Sequence, residues 1–235
     1  MILQIIIYAG FAGATVFIGG LLANYFNHHI EESPVKYQIT HSLMSFGSGI
    51  ILSALALVLV PEGMEKLELL PLILSFLGGA IIFFFIDRYL ARKAGQAATL
   101  LAMLMDFIPE SIALGAIFAL DPKNAILLAI FIGIQNLPEA FNSFRDLILS
   151  GTTIKKTLII FFFLSFLGVA SALGGHFLLR DFPKITALLM IFSSGGILYL
   201  LIQDIIPESK LEHSYITSLG ATLGFLVGMI GEKLI

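Results

Sequence analysis

Three carboxylates and an amide lie in the middle of two successive apolar stretches of this chain. Asp106 and Glu110 are four residues apart in one stretch, and Gln135 and Glu139 have the same spacing in the next. Because residues four apart share one face of a helix, the side chains of each pair point the same way. A carboxylate near the bilayer centre costs about 2.5–3.5 kcal/mol on insertion scales, so it has to face a cavity, a partner or a cation. These side chains therefore indicate a path for a cation.

A proline precedes a glutamate in both stretches. Pro109 has no N–H, so the carbonyl of Met105 is left without its helical donor, and a freed carbonyl that lines a cavity is a candidate ligand. Three acids with no Lys, Arg or His nearby on their own helices repel one another unless they are protonated or a divalent cation neutralises them. The cation explains all three acids at once. The predicted metal ligands are Asp106, Glu110, Gln135, Asn136 and Glu139.

The composition places the whole chain in a membrane. Hydrophobic residues make up 58% of it and charged residues 12%, with a mean hydropathy of +0.99, which does not describe a water-soluble domain. Because there is no cysteine, thiolate metal sites are excluded. The net charge of −3 is spread over loops, so the chain has no basic patch that could bind nucleic acid. We expect an all-α integral membrane protein with one domain, residues 1–235. Apolar stretches near the roughly 20 residues that cross a bilayer predict eight transmembrane helices over residues 2–26, 37–60, 69–86, 98–120, 124–147, 155–179, 185–206 and 214–235.

The loops predict the orientation of these helices. With the N-terminus outside, the inside loops hold eight Lys and Arg residues against five outside, and the excess is expected on the cytoplasmic side. The first apolar run is too long for a signal peptide and has no basic start, so we treat it as a retained span. These features predict a multi-pass protein, most simply of the plasma membrane, with both termini outside.

Two further Pro-Glu pairs flank the central ones. Pro61-Glu62 ends the second predicted helix and Pro207-Glu208 the seventh, which indicates an inverted repeat with its substrate site at the midplane. A Pro-Glu pair at a helix end is more often a stop signal with a solvated acid. We nevertheless include both glutamates among the pathway candidates, which are Glu62, Met105, Asn142, Asp146, Asp204 and Glu208.

With its four Pro-Glu pairs on the right helices, the chain resembles the ZIP family of divalent metal transporters over nearly its whole length. The family's fourth-helix motif, His-Asn-x-Pro-Glu-Gly, falls on residues 106–111, Asp-Phe-Ile-Pro-Glu-Ser, and the fifth-helix motif falls on residues 135–140, Gln-Asn-Leu-Pro-Glu-Ala. The chain departs from the family where Asp106 and Phe107 replace His and Asn. It departs again at Gly168, where an acid is often found on helix six, so a second, adjoining metal site is expected to be incomplete.

The resemblance implies a divalent cation transporter and not an enzyme, with the metal as substrate and no cofactor. Helices one, four, five and six would carry the metal into the cytoplasm by alternating access against a scaffold of helices two, three, seven and eight. Oxygen ligands favour manganese or iron, while the resemblance keeps zinc and cadmium in play. Two other classes stay open, a metal-binding membrane sensor that does not transport and, with less support, a membrane-embedded metal-dependent hydrolase. Besides the cation and the bilayer, a second copy of the chain is a candidate partner, because Gly220, Gly224, Gly228 and Gly231 could form a dimer face.

Overall fold

The described part of the chain is helical almost throughout. A computed structural model describes residues 1–29, 33–93, 96–119, 121–211 and 215–234, and these contain no strand. The helical segments within them are α1 (Ile2–His29), α2 (Pro34–Lys66), α3 (Leu69–Lys93), α4 (Gln96–Ile117), α5 (Pro122–Leu149), α6 (Ile154–Leu179), α7 (Pro183–Ser209) and α8 (Ile216–Leu234).

Six of these segments are long and apolar enough to cross a membrane: α1, α2, α3, α5, α6 and α7. The chain is therefore an all-α protein with the character of a multi-pass membrane protein. That α4 and α8 also span the membrane stays a prediction.

Both α2 and α7 contain a turn of π-helix immediately before their Pro-Glu pair. The π turns are Leu55–Leu59 and Leu201–Ile205, and a single residue separates each turn from Pro61 or Pro207. A proline cannot donate to the carbonyl four residues back, and a π turn changes the bonding pattern just ahead of it. The same local structure thus recurs in both halves of the chain, although the inverted repeat itself stays a prediction.

Caps and short loops set where the helices begin. Ser33, Asp121 and Thr153 each accept a hydrogen bond from a backbone N–H of the first turn that follows them, which satisfies donors that a helix start leaves free. Because short loops connect successive helices, each helix runs antiparallel to the one before it. Both ends of the chain therefore lie at one face of the bundle, the terminal face, together with the α2–α3, α4–α5 and α6–α7 loops. The other end of the bundle is the far face.

The helices pack as two groups of four. The first bundle is α1, α4, α5 and α6, in which α1 and α4 each pack on α5 and on α6. The second bundle is α2, α3, α7 and α8, in which α2 packs on α8 and on α7, and α3 packs on α7. The two bundles meet mainly where α2 packs on α5 and α4 on α7. This division matches the two sets of helices that the resemblance implies.

The glycines of α8 lie inside the chain. Gly224 lies against the Phe46 carbonyl of α2, Gly228 against the Ser53 side chain, and Gly231 against Leu127 of α5. The absence of a side chain at these positions lets α8 approach its neighbours closely. These contacts are made within one chain, and a second copy of the chain as a partner stays a prediction.

Two predicted helix ends also shift. The structure continues α3 from the predicted end at residue 86 to Lys93, and α2 from residue 60 to Lys66. Charged residues at the end of a span can extend their heads to the interface while the backbone stays helical. The extension of α3 matters most, because it brings Asp87 into a helix that lines the site.

Candidate functional site

A cavity of about 380 Å³ lies between the two bundles. Its walls come from α2, α3 and α7 of the second bundle and from α4 and α5 of the first. Most of its polar lining is acidic, and its chemistry-bearing side chains are Asp87, Asp106, Gln135, Glu139, Asn142, Asp146, Asp204 and Glu208. Seven of these eight were predicted from the sequence.

The deepest part of the cavity is built around Gln135. This side chain exposes 1% of its surface, and its Nε2 donates a 2.6 Å hydrogen bond to Oε2 of Glu110. Because the amide nitrogen faces Glu110, the amide oxygen points away from it. That oxygen, Oε1, is buried and has no hydrogen-bond partner. Gln135 lines the cavity, and its amide keeps an acceptor oxygen that is not used within the described residues.

Two carboxyl groups of the cavity lining lie close to each other. Asp106 of α4, with 4% of its surface exposed, and Glu139 of α5 approach each other closely enough to hydrogen-bond, and Asp106 also accepts a 2.8 Å bond from the backbone N–H of Phe107. Glu110 lies one helical turn beyond Asp106, fully buried behind Gln135. Within the described residues, no three His, Asp or Glu side chains already converge in a metal-binding arrangement. The cavity therefore brings potential metal ligands near one another without arranging them as a complete coordination sphere.

An acidic track leads from this point to the far face. Asn142 and Asp146 follow Glu139 at one-turn intervals on α5 and are half-buried, while Asp204 and Glu208 come from the last turns of α7. Exposure rises along the track, from the buried Asp106 to the exposed Glu208. These four residues were predicted as pathway residues, and the structure places them in the cavity lining, two on α5 and two on α7.

The sequence prediction missed Asp87. It lies in the last third of α3, lines the cavity, and accepts a 2.7 Å hydrogen bond from the hydroxyl of Tyr199 on α7. The prediction ended α3 at the first charged residue and so treated Asp87 as part of a loop. The helix-forming residues that follow it, Tyr89-Leu90-Ala91-Arg92, were the signal that could have placed it in the helix.

Besides Glu110, which lies behind Gln135, three predicted residues are outside the cavity lining. Asn136 is buried but donates through Nδ2 to the carbonyl of Ala12 on α1, at 3.1 Å, and Met105 is half-buried outside the lining. Each is adjacent in sequence to a lining residue and is therefore turned about 100° away from it around the helix. Glu62 lies at the terminal face, where it contacts Lys66 and Asn124.

The space next to Asp106 on the α6 side is filled by a ring. Phe107 is buried, and a Cβ added at Gly168 would lie 2.5 Å from its Cζ atom. The Phe107 ring therefore occupies the space that a side chain at position 168 would need. The two departures from the ZIP pattern at these positions are complementary in shape.

Comparisons with protein-family models and with curated proteins find no match to this chain. What the protein does is therefore inferred from the cavity and the side chains that line it.

Proposed function

We propose that this protein is a ZIP-type carrier that moves divalent transition-metal cations across a membrane. The observation that carries the proposal is the cavity between the two bundles, which is lined by Asp106, Glu139 and Gln135, the last with an amide oxygen that has no hydrogen-bond partner. Carboxyl groups so close together in a membrane-spanning bundle need a proton or a cation to offset their repulsion. A divalent cation offsets it and gives the amide oxygen a partner.

In this proposal Asp106, Gln135 and Glu139 bind the cation directly. Glu110 holds the Gln135 amide in the orientation that offers its oxygen, and the four residues of the acidic track lead the cation to the far face. The described ligands are oxygens, which suit Mn²⁺ and Fe²⁺. Met44 and Met103 also line the cavity, and their thioethers, together with zinc's acceptance of carboxylates, keep Zn²⁺ and Cd²⁺ among the candidates.

Transport requires that the site open to each side in turn. The acidic track leaves the cavity at the far face, while the buried apolar side chains Leu114 and Ile117 of α4, and Phe118 just after its end, lie between Glu110 and the terminal face. Movement of the first bundle against the second would close the route to the far face and open a route to the terminal face. The Lys and Arg excess on the far-face loops favours release of the metal into the cytoplasm, with both termini outside and the plasma membrane as the location.

The contact between Phe107 and Gly168 favours a carrier that holds one cation. The ring fills the α6 side of the site, so the donors remain on α4 and α5. Asn136, whose amide is bonded to α1, then contributes by tying α5 to α1 and not as a ligand.

Two measurements on the same purified protein test the proposal. The first is uptake of Mn²⁺, Fe²⁺, Zn²⁺ and Cd²⁺ into proteoliposomes, and the second is equilibrium binding of the same ions in detergent. Saturable uptake of at least one ion, with the same ion bound at equilibrium, is the expected result. Binding without uptake of any ion would refute the carrier and leave the metal sensor, and absence of both would refute a cation site.

A further inference from the structure

A hydrogen bond joins the two bundles at the terminal face. Nδ2 of Asn124, in the first turn of α5, donates to Oε1 of Glu62, near the end of α2, at 2.7 Å. Glu62 belongs to the second bundle and Asn124 to the first. By contrast, the hydrogen bond from Gln135 to Glu110 lies within the first bundle, and the one from Tyr199 to Asp87 lies within the second. The bond between Glu62 and Asn124 therefore resists separation of the bundles.

The first bundle fixes Asn124 for this contact. Asp121 caps α5, and its Oδ1 accepts hydrogen bonds from the backbone N–H groups of Lys123 and Asn124 at 3.0 and 3.2 Å. Its Oδ2 accepts a 3.2 Å bond from Nδ2 of Asn124. The amide nitrogen thus lies between two carboxylates, and its orientation is set by both.

The second bundle fixes Glu62. Its Oε2 forms a 2.8 Å ion pair with Lys66, one turn further along α2, and the residue exposes 8% of its surface. The adjacent Gly63 lies against Ile191 of α7, where a Cβ would be 2.5 Å from Cγ1 of that residue. The end of α2 is therefore held to α7, and it cannot follow α5 if α5 moves.

From this arrangement we infer that the contact between Glu62 and Asn124 is a latch that keeps the terminal face closed while the cavity is open to the far face. The inference rests on the proposed carrier function, because only alternating access requires α5 to leave α2 at this face. Hydrogen bonds to an ionised group are among the stronger ones in proteins. Loss of the latch therefore raises the population of the state that is open at the terminal face.

A single introduced cysteine can report that state, because the chain has none of its own. Ser194 of α7 is fully buried, and it shares a helical stripe with Met190, Ile197 and Leu201 of the central apolar core. It is outside the cavity lining. The readout is the rate at which a membrane-impermeant thiol reagent labels Ser194→Cys in proteoliposomes.

Two further substitutions, each made in the Ser194→Cys background, distinguish loss of the hydrogen bond between Glu62 and Asn124 from loss of the neighbouring ion pair. Asn124→Asp places a carboxylate opposite Glu62. It should increase the labelling rate about tenfold, because one charge-assisted hydrogen bond is lost. Lys66→Gln removes the ion pair to Glu62 and keeps the bond to Asn124, so its labelling rate should stay within about twofold of the background. An Asn124→Asp rate equal to the background would overturn the latch, as would equal increases in both variants.

A cross-link provides a test that does not depend on a destabilising charge. Glu62→Cys/Asn124→Cys, treated with a short bis-methanethiosulfonate that forms a disulfide with each cysteine and releases methanesulfinate, should lose metal uptake and regain it after reduction. Full uptake by the cross-linked protein would contradict the latch while leaving the carrier in place. Absence of uptake by the unmodified chain would instead count against the carrier function itself.

Discussion

Replacing Gln135 by leucine should weaken metal binding strongly, whereas the same change at the next residue should not. Gln135→Leu removes the unpartnered Oε1 and the donor that Glu110 now has. Asn136→Leu makes the same chemical change at an equally buried position whose amide is bonded to Ala12 on α1. The two variants therefore separate loss of a ligand from loss of a buried amide.

The structure sets the size of both effects. A hydrogen bond or ligand contact involving a charged group is worth about 1.5–3 kcal/mol, and about 1.4 kcal/mol corresponds to a tenfold change in affinity. Gln135→Leu should therefore weaken binding about 10- to 100-fold. Asn136→Leu leaves the Ala12 carbonyl with its second donor, the Thr15 hydroxyl at 2.7 Å, so it should cost only about 1 kcal/mol of stability and leave affinity unchanged.

Equilibrium metal binding to purified protein, measured beside thermal unfolding in detergent, checks this prediction. Both variants are expected to unfold at somewhat lower temperature, and only Gln135→Leu to bind metal more weakly. Equal losses of affinity would show that the amides act through folding alone. An unchanged affinity in Gln135→Leu would refute its role as a ligand.

Three further changes test other parts of the structure. Gly168→Ala should destabilise the protein by about 1–3 kcal/mol through overpacking against Phe107, measured by thermal unfolding, and the same substitution should cost much less in a Phe107→Ala background, where the ring is absent; an equal cost in both backgrounds would refute this packing. Tyr199→Phe, which removes the donor to Asp87, should cost about 1 kcal/mol of stability and leave metal affinity unchanged, so a large drop in affinity would mean that this pair belongs to the site. Metal binding should weaken as the pH is lowered from neutral, because protons compete with the cation for the carboxylates, and equal binding at neutral and acidic pH would contradict carboxylate ligation.

The grouping of Asp106, Gln135 and Glu139 could be predicted because it depends on local geometry. Their spacing puts them on single faces of two helices, and a short loop makes those helices antiparallel neighbours. The cost of a carboxylate in lipid then requires that the faces meet at a cavity. Helix periodicity and solvation together were sufficient for this part of the site.

Other features depend on tertiary packing, which periodicity does not give. Gln135 and Asn136 are both amides at the same depth, and only the rotation of α5 against α1 decides which one faces the cavity. Asp87 was missed because a charged residue was taken as the end of α3. Glu62 and Glu208 follow the same Pro-Glu pattern, yet one lies at the terminal face and the other lines the cavity, a difference set by the direction of α2 and α7.

The most direct test of the central claim compares metal uptake by the wild type and by Glu110→Gln/Glu139→Gln in proteoliposomes. The matched control is Glu65→Gln/Glu68→Gln, which makes the same chemical change at two exposed glutamates at the terminal face. The proposed function predicts saturable uptake by the wild type and the control, and its loss in the cavity variant. Uptake that persists in the cavity variant, or that is absent from the folded wild type for every ion, would contradict it.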